Sequence, residues 1–280
     1  MKAIRTLLIA ALFLAAAAAT SSQQPAFNKE RVTYKSGDLL LVGFLYRPSG
    51  TGPFPTVIWN HGSEKNPGGG PQFDAVATIF VPAGYAVFAP TRRGHGASEG
   101  IYIVDTLDAL RQKGEMDAAN RLMVRLLESE QLDDQIAGLS YAKKLPFVDA
   151  SRMVVAGCSF GGIQTLLAVE RGLGFKAGFS ISPAALTWDG NSYVRQRLIS
   201  AVSGINVPVL LIQPPKDPSL EPARVLGDEA TRLRKRFTAK VYPPTMPDSQ
   251  QLHCFGGAQG MHNWAAEAVT FFDNVLGRAR

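Results

Sequence analysis

Residues 154–162, which read VVAGCSFGG, decide the fold of this chain of 280 residues. They place Gly157, Ser159 and Gly161 in the pattern Gly-x-Ser-x-Gly directly after a run of β-branched residues. Where a buried strand turns sharply into a helix, the central serine is held in a strained backbone conformation, and small neighbours leave room where the two elements crowd. The pattern therefore predicts a nucleophile elbow that exposes the Ser159 hydroxyl.

The residues on both sides of this motif predict the strand and the helix that an elbow requires. Residues 153–156 form a short apolar run, and residues 163–171 carry an apolar stripe with helical spacing. Phe160 opens that helix, so its backbone N–H lacks an intrahelical acceptor. It is a candidate donor to an oxyanion.

The first residues have the composition of a signal peptide. Two basic residues among the first five precede an apolar run over residues 7–19, which is too short and too rich in alanine for a stable membrane span. Small residues just before Thr20 predict cleavage there, with residues 1–19 as signal peptide and residues 20–280 as the catalytic domain. We therefore expect an exported protein, periplasmic or secreted, and an uncleaved N-terminal anchor is the alternative.

The charge of the chain argues against a nucleic-acid partner. The formal net charge is +6, and it falls to about +4 once Lys2 and Arg5 are removed from the 29 basic residues, against 23 acidic ones. The densest basic run, residues 232–236, lies in a predicted helix and has no interleaved aromatic residues for stacking on bases. The composition, 46% hydrophobic and 19% charged, is that of one large α/β domain with a substantial core.

Short apolar runs, mostly separated by helical patterns, continue along the chain. An antiparallel hairpin is expected over residues 31–47, and the later runs predict strands over residues 56–59, 86–88, 153–156, 177–182, 209–213 and 239–242. This alternation is typical of a parallel sheet covered by helices on both faces. The connection over residues 101–145 is unusually long, and its helical pattern fits either a cap over the site or extended surface helices.

Functional residues of an open parallel sheet gather beyond the carboxyl ends of its strands. Asp217 follows the run 209–213, where a carboxylate can accept a hydrogen bond from an imidazole. Glu221 and Asp228 are weaker alternatives, because a helix terminus and a solvated helix face account for them. His253 and His262 both follow the last predicted strand. His253 is the preferred base because it lies in a loop, whereas His262 adjoins a helix start.

A second oxyanion donor is predicted after the strand 56–59. His61 and Gly62 stand there in the stretch WNHGSE, and Gly62 lets the backbone turn so that the Ser63 N–H can face that of Phe160. An ordinary strand-to-helix loop with a buried histidine is the alternative.

Neither a metal nor an organic cofactor is expected. No group of histidines and carboxylates near the elbow has metal-ligand spacing. The glycines of residues 68–70 are not followed by the Lys and Ser or Thr of a phosphate-binding loop.

The two cysteines, Cys158 and Cys254, each adjoin a predicted catalytic residue. We expect two buried small hydrophobic side chains, with a disulfide as the alternative.

The order Ser159, Asp217, His253, together with the stretches HGSE, RRGHGASEG and GCSFGG, resembles the α/β-hydrolase superfamily over nearly the whole mature chain. The stretches LPFVDASRMVVAGCSFGG, LLIQPPKDPSLEPAR and HCFGGAQGMHNWAAEAVTFF are most similar to the dienelactone hydrolase group and to single-domain relatives of prolyl oligopeptidase. This resemblance implies an eight-stranded, mostly parallel sheet whose second strand is antiparallel, without metal or organic cofactor.

These features predict an exported serine hydrolase that cleaves ester or related acyl bonds of a small-molecule substrate. Ser159 is the nucleophile, His253 the base and then the acid, and Asp217 the orienting carboxylate. A serine peptidase of the prolyl oligopeptidase type is the first alternative. A non-catalytic binding protein on the same fold is less favoured, because no member of the triad is missing.

Overall fold

A computed structural model describes residues 27–67 and 71–278 of the chain. The predicted signal peptide, residues 1–19, lies outside the described residues. The strands are β1 (Asn28–Ser36), β2 (Leu39–Arg47), β3 (Phe54–Asn60), β4 (Ala86–Thr91), β5 (Val148–Cys158), β6 (Gly178–Ile181), β7 (Val209–Gln213) and β8 (Phe237–Val241). The helices are α1 (Pro71–Phe80), α2 (Ile103–Arg111), α3 (Met116–Glu128), α4 (Glu130–Ala142), α5 (Phe160–Glu170), α6 (Ser192–Gly204), α7 (Glu221–Arg232) and α8 (His262–Val275).

The eight strands form one sheet in the order β1-β2-β4-β3-β5-β6-β7-β8. β2 is antiparallel to both β1 and β4, and the pairs from β4 through β8 are parallel. The prediction of a mostly parallel eight-stranded sheet with helices on both faces is therefore confirmed. The central strands read as apolar runs because helices bury both of their faces, which removes any need for polar alternation.

Two hydrophobic clusters lie on opposite faces of the sheet. One packs α1 and α8 against the sheet, with Phe73, Trp264 and Phe272 fully buried. The other holds the apolar sides of α2 to α7. None of the described helices is both long and apolar enough to cross a membrane.

The long connection between β4 and β5 forms three helices, α2 to α4. Their apolar sides join the second cluster through residues such as Leu107, Met123 and Leu139. The segment is therefore packed onto the domain along its length, and its first two helices also reach the cavity beside Ser159, which is described below.

Glycines allow β5 and α5 to approach β3 closely. A Cβ on Gly157 would lie 2.6 Å from the carbonyl oxygen of Asn60, and one on Gly161 would overlap that oxygen. The predicted crowding at the elbow is therefore backbone against backbone. The contact fixes the end of β3, and hence the loop that follows it, relative to Ser159.

We predict that Gly161→Ala lowers the free energy of unfolding by about 1–3 kcal/mol, because the new methyl group would meet rigid backbone atoms. Gly190→Ala is the matched control, since nothing lies within 4 Å of its Cβ position. Urea unfolding of the two variants and the parent chain measures the difference. Equal midpoints for the two variants would contradict this account of the elbow.

Candidate active site

Ser159 lies at a sharp turn between β5 and α5. Its φ of 59° and ψ of −121° are in a region that non-glycine residues rarely adopt, which costs about 1–3 kcal/mol. Two backbone hydrogen bonds hold the turn: Ser159 N–H donates to the carbonyl of Ile181 at 3.0 Å, and Ile163 N–H donates to that of Ser159 at 3.1 Å. The side chain is half-buried and lines a cavity. The structure thus has the local geometry that the elbow motif predicts.

Asp217 and His253 meet beyond the carboxyl end of β7. Nδ1 of His253 lies 2.6 Å from Oδ1 of Asp217, whose side chain is completely buried. The other carboxylate oxygen accepts a hydrogen bond from Nε2 of Gln213 at 2.8 Å. With both oxygens occupied, the Asp217 carboxylate is held in one orientation.

Gln213 is a positioning residue that the sequence reasoning missed. Its amide also donates to the carbonyl of Ser219, and its Oε1 accepts the backbone N–H of Ala223. Gln213 thereby ties the Asp217 loop to the end of β7 and to the start of α7. The only signal in the sequence is a polar residue at the end of an apolar strand.

The second ring nitrogen of His253 is not hydrogen-bonded to Ser159. Because Nδ1 donates to Asp217, the neutral ring presents a lone pair at Nε2. That atom is buried and has no hydrogen-bond partner among the described residues. It therefore has the character required of a general base.

The residues named as alternatives to Asp217 and His253 take part in other contacts. Glu221 and Asp228 pair with Arg224 on the exposed side of α7. His262 begins α8 and lines a groove between α1 and α8 that does not include Ser159.

The cysteines beside Ser159 and His253 form a disulfide. The Cα atoms of Cys158 and Cys254 are 6.0 Å apart, and the bridge joins positions separated by 96 residues. The expectation of two unpaired buried cysteines was therefore wrong. Sequence alone does not set the direction of the two Cβ atoms, whereas the folded loop points them at each other.

Ser63 and Phe160 line the same cavity as Ser159. The position that a Cβ on Gly62 would occupy is 3.6 Å from Cβ of Ser159, so the loop after β3 passes directly beside the serine. Phe160 is the first residue of α5, and its N–H has no intrahelical acceptor. The two predicted oxyanion donors thus belong to segments on either side of Ser159.

Arg92, the residue after β4, holds this loop through two hydrogen bonds. Its Nη1 donates to the carbonyl of His61 at 2.9 Å, and its Nη2 donates to that of Gly62 at 2.7 Å. The guanidinium is buried, and no carboxylate of the described residues lies within salt-bridge distance. Burial lowers the pKa of Arg92 to about 10, which leaves the side chain positively charged at neutral pH.

The hydrogen bonds of His61 fix its tautomer. Nε2 accepts the backbone N–H of Arg92 at 3.1 Å, so Nδ1 carries the proton and donates to the Gly62 carbonyl at 2.9 Å. Burial is the main cause that holds the pKa of His61 well below its usual value, so the ring is neutral. The Gly62 carbonyl therefore receives two hydrogen bonds from the same side.

This arrangement orients the Ser63 N–H. In a trans peptide the C=O and N–H groups point in opposite directions, so fixing the Gly62 carbonyl also fixes the Ser63 N–H. The hydroxyl of Tyr102 donates to the Ser63 carbonyl and restrains the next peptide. The Ser63 N–H has no acceptor among the described residues.

Apolar side chains from α2 and α3 form one wall of the cavity beside Ser159. The cavity has a volume of about 200 Å³ and is lined by Val104, Leu107, Met123 and Leu186 among others. Arg111 is the one ionic side chain of this lining within the described residues, and it pairs with Asp108. No three histidine, cysteine, aspartate or glutamate side chains of the described part of the chain cluster as metal ligands would.

Comparison with known protein families matches part of this chain. A sequence model of the prolyl oligopeptidase family matches residues 117–191. The quorum-quenching protein AidA of Acinetobacter baumannii is 30% identical over 138 residues, which are 48% of this chain and 37% of that protein. Human dipeptidyl peptidase 8 is 28% identical over 153 residues, which are 52% of this chain and 15% of that protein. The chain thus spans well under half the length of these relatives.

Solved structures cover almost the whole chain. The acylaminoacyl peptidase of Pyrococcus horikoshii covers 92% of it with a TM-score of 0.69 at 18% identity, and the chain covers 43% of that protein. The chain has the α/β-hydrolase fold. An esterase of Pyrococcus furiosus covers 89% of this chain, which in turn covers 93% of the esterase, with a TM-score of 0.66 at 16% identity. A Klebsiella pneumoniae "putative dienelactone hydrolase" has a TM-score of 0.60 at 17% identity, with coverages of 86% and 99%.

We predict that Arg92→Lys lowers kcat about ten- to a hundredfold with little change in KM. A lysine keeps the charge but cannot hold two adjacent carbonyls in a fixed fork. The donor that it releases would act mainly in the transition state. Arg93→Lys is the matched control, because Arg93 binds Asp134 instead of the loop. Steady-state kinetics and the melting temperature are measured for both variants, and an equal loss of kcat in both would contradict this role of Arg92.

Proposed function

We propose that this α/β-hydrolase is an exported serine hydrolase that cleaves carboxylic esters through an acyl-enzyme on Ser159. The observation that carries the proposal is the hydrogen bond of 2.6 Å between the buried Asp217 and His253, which leaves Nε2 of His253 without a partner among the described residues. A disulfide joins the residues next to His253 and Ser159, so base and nucleophile belong to one site.

The reaction proceeds in two halves. Oγ of Ser159 attacks the substrate carbonyl carbon while Nε2 of His253 takes the hydroxyl proton, and Asp217 stabilises the charged ring. The N–H groups of Phe160 and Ser63 donate to the oxyanion. The intermediate then expels the alcohol, which receives the proton from Nε2. Water attacks the acyl-enzyme by the same route and releases the acid.

The cavity beside Ser159 supports a substrate with a compact apolar group. Its volume of about 200 Å³ and its aliphatic walls suit a short acyl or alkyl chain. The buried Arg92 charge lies behind the oxyanion loop and stabilises negative charge that develops there.

A peptidase that acts on substrates with a free amino group is the second candidate. The carboxylate of Glu64 contacts the position that a Cβ on Gly62 would occupy, which is itself 3.6 Å from Cβ of Ser159. This side chain is exposed and has no ion-pair partner among the described residues. A carboxylate in this place can bind a substrate ammonium. The matched prolyl oligopeptidase family also favours this candidate.

A substrate panel on the parent chain and four variants, Ser159→Ala, His253→Ala, His262→Ala and Glu64→Gln, tests both candidates. We expect short p-nitrophenyl esters to be cleaved faster than aminoacyl p-nitroanilides. Ser159→Ala and His253→Ala each lower kcat at least about 10³-fold, because each removes a member of the triad. His262→Ala is the matched control and keeps most of the activity, since its side chain lines a different groove.

Covalent labelling locates the nucleophile independently of the substrate. A fluorophosphonate should add once per chain, and peptide mapping should place the adduct on Ser159. Faster cleavage of the anilides, lost in Glu64→Gln, would establish the peptidase instead. Full activity in Ser159→Ala, or loss in His262→Ala with retention in His253→Ala, would overturn the proposed catalytic roles. A chain that neither reacts nor hydrolyses would be a binding protein.

Export is part of the proposal and has its own test. The basic start, the apolar run over residues 7–19 and the small residues before Thr20 fit signal-peptidase processing. We predict that N-terminal sequencing of the protein collected from outside the cytoplasm begins between residues 19 and 25. The control is Ala17→Arg together with Ala19→Arg, which should block cleavage because the peptidase requires small residues. Soluble exported protein that retains Met1 would contradict processing.

A further inference from the structure

We infer that the Cys158–Cys254 disulfide positions His253 for catalysis, so that turnover depends on the redox state of this cysteine pair. The inference rests on the proposed hydrolase function. Cys158 is the last residue of β5 and precedes Ser159, whereas Cys254 follows His253. One covalent bridge therefore connects the immediate neighbours of the nucleophile and of the base.

The segment that carries His253 has an unusual backbone. Cys254 and Phe255 have φ values of 54° and 57°, and Gly256 and Gly257 continue the left-handed run at 68° and 73°. Left-handed conformations are unfavourable for residues with a side chain and persist only where surrounding contacts impose them. This segment therefore needs strong restraints at Cys254 and Phe255.

Besides the bridge, Cys254 packs at the edge of the cluster that holds α1 and α8, and its hydrogen bonding is weak. Its N–H donates to Oγ of Ser182 at 3.4 Å, which is long for a hydrogen bond. Leu252, on the other side of His253, is half exposed. Phe255 is anchored separately, because it is fully buried and its ring contacts that of Tyr242.

Loss of the bridge should therefore act locally. Phe255 keeps the end of the segment in the core, while the backbone at Cys254 becomes free to leave its left-handed conformation. His253 lies one residue away, so its ring would lose the orientation that its hydrogen bond to Asp217 gives it. The expected effect is on kcat, because substrate binding in the cavity does not involve this segment.

The bridge is accessible to reductants. Cys254 is half-buried and Cys158 is buried, so a thiolate of a dithiol such as dithiothreitol can attack the Cys254 sulfur and release the Cys158 thiolate. The second thiol of the reductant then resolves the mixed disulfide. Two electrons pass to the protein, which gains two thiols, and the dithiol becomes a cyclic disulfide. Oxidised glutathione reverses the change by the same exchange.

The experiment compares oxidised, reduced and reoxidised protein. The state of the two cysteines is verified by alkylation and mass measurement. We expect reduction to lower kcat for a short p-nitrophenyl ester at least about tenfold, with KM changed less than about twofold, and reoxidation to restore it. The deshielded ¹H resonance of the proton between His253 and Asp217 should broaden or vanish in the reduced protein. The circular dichroism spectrum, which reports secondary structure, should stay the same.

The double variant Cys158→Ala/Cys254→Ala is the matched control for the reductant. It should have the low kcat of the reduced protein and should not respond to dithiothreitol. An active oxidised protein whose reduced and double-variant forms keep full kcat would overturn the inference and leave the hydrolase function standing. Global unfolding of the reduced chain at 10 °C would also overturn it, because the bridge would then hold the whole fold. Absence of turnover and labelling in the oxidised protein would overturn the hydrolase function itself.

Discussion

The structure depends on one close backbone contact, where the start of α5 presses against the end of β3. Gly161 and Gly157 leave no side chain between the elbow and the Asn60 carbonyl. The contact sets where β3 ends relative to Ser159, and the loop of His61, Gly62 and Ser63 follows from that point. The strained Ser159 conformation and the position of the predicted second oxyanion donor are therefore consequences of a single packing constraint.

Two charged side chains of the candidate site, Arg92 and Asp217, are buried. The Arg92 guanidinium is buried with carbonyl oxygens and the side-chain oxygen of Gln131 as acceptors. Carbonyl acceptors satisfy the donors of a guanidinium but do not cancel its charge, so the positive potential remains directed at the loop. The Asp217 carboxylate is also buried and accepts hydrogen bonds from Gln213 and His253. The candidate site thus has one buried cation behind its oxyanion loop and one buried carboxylate beside His253.

The elements that determine the fold could be predicted because their signals are local. The hairpin, the apolar runs and the elbow appear in the sequence with their residue types and spacing, and the predicted run over residues 209–213 has the same bounds as β7. Asp217 and His253, which the sequence names together, are hydrogen-bonded in the structure, and their catalytic roles stay predictions.

What could not be predicted depends on contacts between distant segments. Arg92 and Gln213 lie in the stretches RRGHGASEG and LLIQPPKDPSLEPAR that carry the resemblance, but their contacts arise between segments that meet only in the folded chain. The disulfide was misjudged for the same reason, because two cysteines 96 residues apart approach each other only when the His253 segment adopts its left-handed turn. The long connection showed a helical pattern, but its division into three helices depends on packing.

The walls of the cavity have a consequence for how this protein can diversify. Val104, Leu107 and Met123 come from helices between β4 and β5, outside the sheet and apart from the loops that bear Asp217 and His253. Under the proposed function, selectivity and bond cleavage are therefore encoded in separate stretches of one gene. Mutations in the wall would then alter which molecules enter while Asp217 and His253 stay in place, so new preferences could evolve on constant chemistry.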